Sequence, residues 1–384
     1  MQHSYFDHNA TSAVAPEVLQ TLAGSMAEVY GNASSIHHFG QVAKQRLEAA
    51  RREVAAMLGC EAREVVFTSG GTEADNLALF GVMRRIGGGH LVTSSMEHPA
   101  VLNACGQLER EGFEVTYVAP DESGVVSAAA VRRAVRTDTA LISVMHANNE
   151  TGVLQPLAGI AAVARECGAV FHTDAVQTAG RIPVNVRELG VDLLSLSGHK
   201  FGAPKGIGAL YVRKGVELRP LLYGGRHERE RRAGTENVPG AVALGRAAGL
   251  GALWGGIATL RDRLEQGILA RVPAAHVNGA GAERLPNTSN IRFDGIEGEA
   301  MVISLDLRGF AVSSGSACSS GAVEPSHVLL AMGLSPEDAR SSVRFSLGPG
   351  NTAEQVDGLI EAVAGSVTHL RRISTSFVKG TVNV

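Results

Sequence analysis

Two short polar segments that follow predicted strands contain side chains able to bind a phosphorylated molecule. Residues 69–73 (SGGTE) form a glycine-rich turn between a strand and a helix that we predict to start near Glu73. Backbone N–H groups and the positive end of a helix favour a phosphate. The turn matches neither the P-loop nor the dinucleotide fingerprint, so a tight turn without a ligand is an equally valid interpretation.

The second segment carries the carboxylate of Asp174 at the end of a predicted strand, and Lys200 follows the next predicted strand. Asp174 could hold a protonated pyridine nitrogen or cap a helix N-terminus. Lys200, in a small-residue loop bracketed by glycines, could form a Schiff base if desolvation lowers the pKa of its amine. A solvated surface lysine is the alternative. Together, the turn at 69–73, Asp174 and Lys200 supply the three anchors of pyridoxal phosphate, and we predict that cofactor.

Cys318 is the candidate nucleophile. It lies in residues 313–321, where every other residue is Ser, Gly or Ala, so its surroundings offer little to pack against. An accessible thiol is therefore favoured over a core cysteine. Cys60, Cys105 and Cys167 are given packing roles, and the absence of a C-x-x-C pair predicts no zinc site and no disulfide framework.

The elements that position these residues alternate between strands and helices, which is typical of a parallel sheet wrapped by helices. The predicted strands of this α/β part are 64–68, 90–93, 114–118, 140–144, 169–173 and 193–196, with helices such as 42–58 and 157–167 between them. Ligands of open α/β sheets bind beyond the carboxyl ends of the strands. From about Gly240 the pattern changes to helices and two strands, 289–293 and 342–346, which predicts a smaller α+β part.

Composition excludes several classes of protein. The chain has 384 residues, 35 Lys+Arg against 38 Asp+Glu, and 45% hydrophobic residues, which is typical of a globular protein. No basic block suggests binding to nucleic acid. The longest apolar stretch, 247–260, is too short for a membrane span, and no secretory signal is recognisable. We expect a cytoplasmic protein without membrane contact.

At this point the sequence resembles cysteine desulfurases of the NifS/IscS type, which belong to the fold-type-I pyridoxal-phosphate enzymes. The resemblance runs nearly end to end. Its motifs are DHNAT at 7–11, GNASSIH at 31–37, TSGGTEADN at 68–76, EHPAV at 97–101, NNETG at 148–152, SGHK at 197–200, AGTEN at 233–237, and the Cys318 segment followed by EPSH at 324–327.

The resemblance implies a role for each matching residue. Lys200 would hold the cofactor as an internal aldimine and move protons, and His98 would stack on the ring and assist the acid–base steps. The remaining assignments are Asp174 at the ring nitrogen; Gln177 and Asn149 at the phenolic oxygen; Gly71, Thr72, Ser197 and His199 at the phosphate, with Thr235 from the second subunit of a homodimer; and Arg344, Asn149 and Asn32 at the substrate. No residue is assigned to a metal.

The resemblance also implies the architecture and the reaction. The expected fold has a large domain at 12–255, containing a mostly parallel seven-stranded sheet, and a small α+β domain formed by 1–11 and 256–384. The expected reaction converts L-cysteine to L-alanine and leaves a persulfide on Cys318. The acceptor would be an iron–sulfur scaffold or a thiolation enzyme. The alternatives are a selenocysteine lyase, a small-amino-acid transaminase, or a sulfur carrier without turnover.

Overall fold

The structure is a computed structural model that describes residues 3–314 and 324–373. In these ranges the helices are α1 (Pro16–Glu28), α2 (His38–Leu58), α3 (Gly71–Ile86), α4 (Pro99–Arg110), α5 (Ala128–Ala134), α6 (Leu157–Cys167), α7 (Val186–Leu189), α8 (Val238–Ala248), α9 (Ile257–Arg271), α10 (Gly298–Asp306), α11 (His327–Ala331), α12 (Pro336–Arg340) and α13 (Ala353–Ile373). Four 3-10 helices, Ala62–Glu64, Gly198–Lys200, His227–Glu230 and Gly251–Trp254, complete the helical elements of these ranges. Cys318 lies outside the described residues.

The strands form a large sheet and two smaller ones. They are β1 (Ser4–Tyr5), β2 (Val65–Thr68), β3 (His90–Ser94), β4 (Glu114–Val118), β5 (Thr139–Ser143), β6 (Val170–Asp174), β7 (Leu193–Ser197), β8 (Gly208–Val212), β9 (Ala275–Val277), β10 (Thr288–Phe293), β11 (Phe310–Ala311) and β12 (Ser342–Ser346). The large sheet has the order β2-β8-β7-β6-β5-β3-β4. The five strands β7, β6, β5, β3 and β4 run parallel to their neighbours in this group, whereas β8 is antiparallel to both β2 and β7. The predicted seven-stranded, mostly parallel α/β sheet is confirmed.

Side chains alternate between two apolar layers along the central strands. Leu91, Leu141 and Leu193 pack in the cluster that contains the inner faces of α3 and α4. The next residue of each strand, Val92, Ile142 or Leu194, packs in the larger cluster on the opposite face. This two-residue period buries both faces of the sheet. The strands are therefore held rigidly, and their carboxyl ends meet at one edge.

The second group of elements surrounds a three-stranded antiparallel sheet of order β12-β10-β9. Helices α9, α10 and α13 pack together beside it. The N-terminal strand joins this group, since β1 pairs in parallel with β11 and Asp7 forms a bridge with Ser346. The division into domains at 12–255 and at 1–11 with 256–384 stays a prediction.

No single helix in the described parts of the chain is long and apolar enough to cross a membrane. Within 3–314 and 324–373, one pair of helices separated by a short break, Val238–Ala248 and Gly251–Arg271, is long and apolar enough when taken together, but it is bent by 56°.

Candidate active site

A cavity of about 250 Å³ opens at the carboxyl edge of the large sheet. Nine of the residues proposed from the sequence line it: Gly71, Thr72, His98, Asn149, Asp174, Gln177, Ser197, His199 and Lys200. They come from α3, the start of α4, and the segments after β5, β6 and β7. The sheet therefore brings together side chains that are far apart in the sequence.

The wall at the start of α3 is suited to an anion. The helix begins at Gly71, two residues earlier than predicted, so its first N–H groups lie at the cavity. A Cβ atom at Gly71 would come within 2.7 Å of Val176 Cγ2, which explains the glycine by a close approach of the helix to the turn after β6. Hydroxyl and imidazole groups of Thr72, Ser197 and His199 lie on the same wall.

Asp174 ends β6 and is 6% exposed. Its Oδ1 accepts the N–H of Val176 at 2.8 Å. The residues that follow form turns rather than a helix, so the helix-capping alternative is wrong. Burial raises the pKa of this carboxyl, while the nearby His98 and Lys200 oppose that rise. A cationic N–H placed in the cavity would give Asp174 the charge partner that a buried carboxylate needs.

Lys200 is partly buried at the end of the 3-10 helix Gly198–Lys200. Its Nζ donates to the carbonyl oxygens of Asn9 at 2.6 Å and Ala10 at 2.9 Å. Burial, with help from Arg181 and Arg344, lowers the pKa of the amine to about 7. The amine is thus an available nucleophile near neutral pH, and the alternative of a solvated surface lysine is wrong.

His98 is held in one tautomer. Its Nδ1 accepts the N–H of Ala100 at 3.1 Å, as the N-cap of α4. The neutral ring therefore carries its proton on Nε2. Burial lowers the pKa of His98, and the carboxylate of Asp174 acts in the opposite direction. A neutral ring that lines the cavity can stack on a flat ligand and donate one hydrogen bond.

Arg344 lies behind Asn149, on β12. It is 5% exposed, its Nη2 donates to Asp7 Oδ1 at 2.7 Å, and its Nη1 donates to the Asn149 carbonyl at 3.1 Å. Within the described residues its Nε has no hydrogen-bond partner. The guanidinium thus keeps one unpaired N–H, although this nitrogen is buried and Arg344 is not part of the cavity wall.

Three predicted site residues that the structure describes do not line this cavity: Arg344, Asn32 and Thr235. Asn32 is exposed, and its Oδ1 accepts the N–H of Ser34 at 2.9 Å in a local turn. Thr235 is exposed and lies away from the cavity of its own chain. Cys318 lies outside the described residues, so its position is not compared with the prediction.

Sequence reasoning missed three buried polar residues beside the cavity: Asp75, Glu97 and Arg181. Asp75 lines the cavity on the first turns of α3, and burial together with Asp174 raises its pKa. A sequence signal for Asp75 existed, since this carboxylate lies within the motif at 68–76. Arg181 lies in the turns after β6, and no local sequence pattern indicates that its side chain is buried.

The residues present fit pyridoxal phosphate. The start of α3 with Thr72, Ser197 and His199 forms a set of donors for a phosphate, Asp174 offers a buried carboxylate, and Lys200 offers a desolvated amine. No group of three or more His, Cys, Asp and Glu residues within 3–314 and 324–373 could hold a metal ion.

Comparison with known proteins identifies the family. The model of the family "Aminotransferase class-V" matches residues 4–359. The chain belongs to the class-V aminotransferase family. A cysteine desulfurase IscS from Methanosarcina thermophila is 48% identical over 377 residues, which cover 96% of this chain and 93% of that protein. The resemblance to desulfurases of the NifS/IscS type is confirmed.

Solved structures of this family share the fold. A NifS-like protein superposes with a TM-score of 0.90 at 36% identity, over 96% of this chain and all of that chain. The structure titled "SspA in complex with cysteine" superposes with a TM-score of 0.81 at 38% identity, over 91% of this chain and 99% of that chain.

Proposed function

We propose that this class-V aminotransferase family member is a pyridoxal-phosphate-dependent cysteine desulfurase that converts L-cysteine to L-alanine. The observation that carries the proposal is the cavity that places the amine of Lys200, the carboxylate of Asp174 and the helix start at Gly71 around one space. The relatives named cysteine desulfurase and the neighbour solved with cysteine support the choice of substrate.

Each residue of the cavity would contribute a separate function. Bound pyridoxal phosphate supplies an electron-withdrawing conjugated system that makes bonds at the substrate α-carbon labile. Asp174 would hold a proton at the ring nitrogen, and Thr72, Ser197 and His199 would bind the phosphate. Lys200 would bind the cofactor covalently and, once released, accept and return a proton. The Nε2–H of His98 would donate to the ligand, and Gln177 and Asn149 would orient its phenolic oxygen.

Arg344 would bind the carboxylate of L-cysteine. A guanidinium binds a carboxylate as a planar fork, and the buried Nε of Arg344 has no hydrogen-bond partner among the described residues. Asp7 already shares the cation at 2.7 Å. Asp7 would therefore hold the Arg344 guanidinium in position before substrate binds. Because Asp7 competes for the same cation, a poorly placed substrate carboxylate would bind Arg344 weakly. Asn32 remains a proposed substrate contact.

Cys318 would accept the sulfur atom. In the overall reaction, L-cysteine and the Cys318 thiol give L-alanine and a Cys318 persulfide, so that the carbon–sulfur bond breaks and a sulfur–sulfur bond forms. A persulfide sulfur can then pass to an acceptor thiol. We propose an iron–sulfur scaffold or a thiolation enzyme as the acceptor, supported by the name IscS of one relative.

The active unit would be a homodimer in which Thr235 of each chain completes the phosphate site of the other. Thr235 is exposed and outside its own cavity. Large apolar side chains on and after α1 are also exposed, with Met26 66%, Tyr30 71% and Ile36 93% accessible. Large apolar side chains that are this exposed are often found at protein interfaces when they lie together.

The experiment that tests the function is an assay of L-alanine and sulfide produced from L-cysteine with a thiol reductant. We expect turnover by the wild type, none by Lys200→Ala, and turnover near wild type by Lys205→Ala, an exposed lysine of the same loop. A wild type that binds pyridoxal phosphate but forms no alanine would contradict the proposal. Alanine formed from L-selenocysteine alone would indicate a lyase, and amino transfer would indicate a transaminase.

A further inference from the structure

Arg181 is a buried arginine beside Lys200 whose acceptors are all neutral. It is 4% exposed and lies in the turns after β6. Its guanidinium donates to the Lys200 carbonyl at 2.8 and 3.0 Å, the His8 carbonyl at 2.7 Å, Asn9 Oδ1 at 2.8 Å and Gln177 Oε1 at 2.8 Å. Its fifth neighbour is the ring of Trp254, 4.7 Å from Cζ.

The charge of Arg181 has no counter-ion in residues 3–314 and 324–373. None of the ion pairs of these residues includes it, whereas the equally buried Arg51 pairs with Glu228 at 2.6 Å. A buried cation without a carboxylate is costly. Neutral oxygens and an aromatic face hold the Arg181 guanidinium in place. Because no carboxylate neutralises its charge, that charge acts on the titratable groups nearby.

The hydrogen bond to Gln177 determines which end of that amide faces the cavity. A guanidinium can only donate, so Gln177 Oε1 must be the atom that accepts from Arg181. The Nε2 group then donates to the Asn9 carbonyl at 3.1 Å. The second N–H of Nε2 can then donate to a ligand in the cavity that Gln177 lines. Arg181 thus makes Gln177 a donor, which is the polarity that an anionic phenolic oxygen requires.

The same guanidinium acts on Lys200 by contact and by charge. Two of its hydrogen bonds hold the Lys200 carbonyl. The charged groups facing the amine are Arg181 and Arg344, which disfavour its protonation, and Asp174 and Asp7, which favour it. The imidazoles of His98 and His199 also face this site, and burial lowers the pKa of both, to about 4 for His199.

We propose that Arg181 is a positioning residue that keeps the Lys200 amine neutral and orients Gln177 as a hydrogen-bond donor. This inference rests on the proposed function, in which Lys200 is the residue that binds pyridoxal phosphate. Attachment joins Nζ to the aldehyde carbon with loss of one water, and it needs the neutral amine as nucleophile. The charge of Arg181 therefore adds to the effect of burial and lowers the pH at which attachment becomes fast.

The test measures the rate at which apoprotein attaches pyridoxal phosphate, followed by imine absorbance, from pH 5 to pH 10. For the wild type we expect a midpoint near the pKa of about 7. For Arg181→Met the midpoint rises by about one pH unit, because a like charge has been removed. Arg181→Lys keeps the charge and the lowered midpoint. Arg261→Met is the matched control, since Arg261 also donates to backbone carbonyls, those of Leu285 and Thr288, outside the site.

A second measurement avoids Arg181→Met, in case that variant does not fold, and uses Arg181→Lys instead. Lysine has a single donor nitrogen, so it cannot reproduce the contacts that Nε, Nη1 and Nη2 of Arg181 make with Gln177 and the Lys200 carbonyl. We therefore expect Gln177→Ala to weaken the affinity for pyridoxal phosphate several-fold in the wild type but much less in the Arg181→Lys background. Equal effects in both backgrounds, or a midpoint that Arg181→Met leaves unchanged, would overturn the inference. Wild type without any imine absorbance would instead overturn the proposed function.

Discussion

At the scale of single residues, the site depends on buried carboxyl groups whose charge is controlled by burial. Asp75, Glu97 and Asp174 are each at most 6% exposed, and burial raises the pKa of all three. Asp174 has two titratable neighbours, His98 and Lys200, whose protonated forms would oppose the rise in its pKa. Glu97 has only neutral donors, the Ser94 hydroxyl at 2.6 Å and the Met145 N–H at 2.9 Å. It is therefore the clearest case of a carboxyl that is neutral in the folded protein.

Glu97→Gln should make the folded protein less sensitive to alkaline pH. The pKa of Glu97 is raised from 4.5 to about 8 in the folded state, so the folded state binds a proton that the unfolded state has lost between these values. Stability therefore falls as pH rises through that window. Glutamine keeps both hydrogen bonds to Oε1 and has no proton to lose. From pH 6 to pH 8.5 we therefore expect the free energy of unfolding of wild type to fall by about 2 kcal/mol more than that of the variant.

Urea unfolding of both proteins at the two pH values measures this difference, because other groups titrate in both and cancel. An equal change in stability for wild type and variant would show that Glu97 is charged in the folded state.

Arg344→Gln should affect substrate more than cofactor. Loss of a charge-assisted contact to the substrate carboxylate costs about 2 kcal/mol, which corresponds to about a 30-fold fall in kcat/KM for L-cysteine. Most of this fall should appear in KM. The affinity for pyridoxal phosphate should stay within a few-fold of wild type, because Arg344 does not line the cavity. Steady-state kinetics together with cofactor titration distinguish this outcome from a general loss of structure.

At the scale of elements, the start of α3 is brought to the turn after β6 by a glycine. A Cβ atom at Gly71 would meet Val176 Cγ2 at 2.7 Å, and valine has few alternative rotamers. The anion-binding end of α3 therefore depends on close contact between two elements rather than on the sequence of the turn alone.

Gly71→Ala should weaken both folding and cofactor binding. Overpacking of this kind costs about 1–3 kcal/mol, and displacement of α3 should reduce the affinity for pyridoxal phosphate by about tenfold or more. Gly24→Ala is the matched control, because Gly24 lies inside α1 with nothing within 4 Å of the new Cβ. The control should gain about 0.5–1 kcal/mol. Thermal unfolding and cofactor titration of both variants provide the comparison, and an unchanged affinity in Gly71→Ala would contradict the assigned contact.

At the scale of the whole molecule, local pattern predicted the elements but not their neighbours. Apolar runs bounded by polar residues predicted β4 with the observed bounds and β3, β5, β6 and β7 within one residue. The antiparallel strand β8 (Gly208–Val212) was missed, although its run GALYV is apolar, because it follows β7 without an intervening α-helix. The strand order depends on non-local pairing, which no local pattern contains.

The same limit applies to the site. Residue types at strand ends predicted Lys200, Asp174 and the turn at 69–73, and the resemblance added Gly71. Arg181 and Glu97 become significant only through neighbours that are distant in sequence, such as Asn9 and Met145. Asp7 and Asn9, which belong to the motif at 7–11 and were assigned no role, contact the site residues Arg344 and Lys200.

The homodimer proposal makes cofactor affinity depend on protein concentration. If Thr235 completes the phosphate site of the other chain, dilution below the dimer dissociation constant should weaken pyridoxal phosphate binding. Thr235→Ala should reduce the affinity at high concentration several-fold, whereas Thr137→Ala, another exposed threonine, should not. Sedimentation should show about twice the chain mass of 40.0 kDa. A monomer with full affinity at every concentration would contradict the proposal.

Transfer of sulfur from L-cysteine to the protein is tested most directly by mass spectrometry after incubation with L-cysteine that carries isotopically labelled sulfur, without reductant. We predict one labelled sulfur atom on the peptide containing Cys318, removed by a thiol reductant and absent in Lys200→Ala. Holoenzyme whose Cys318 peptide carries no label, or label found instead on Cys60, Cys105 or Cys167, would contradict the assignment.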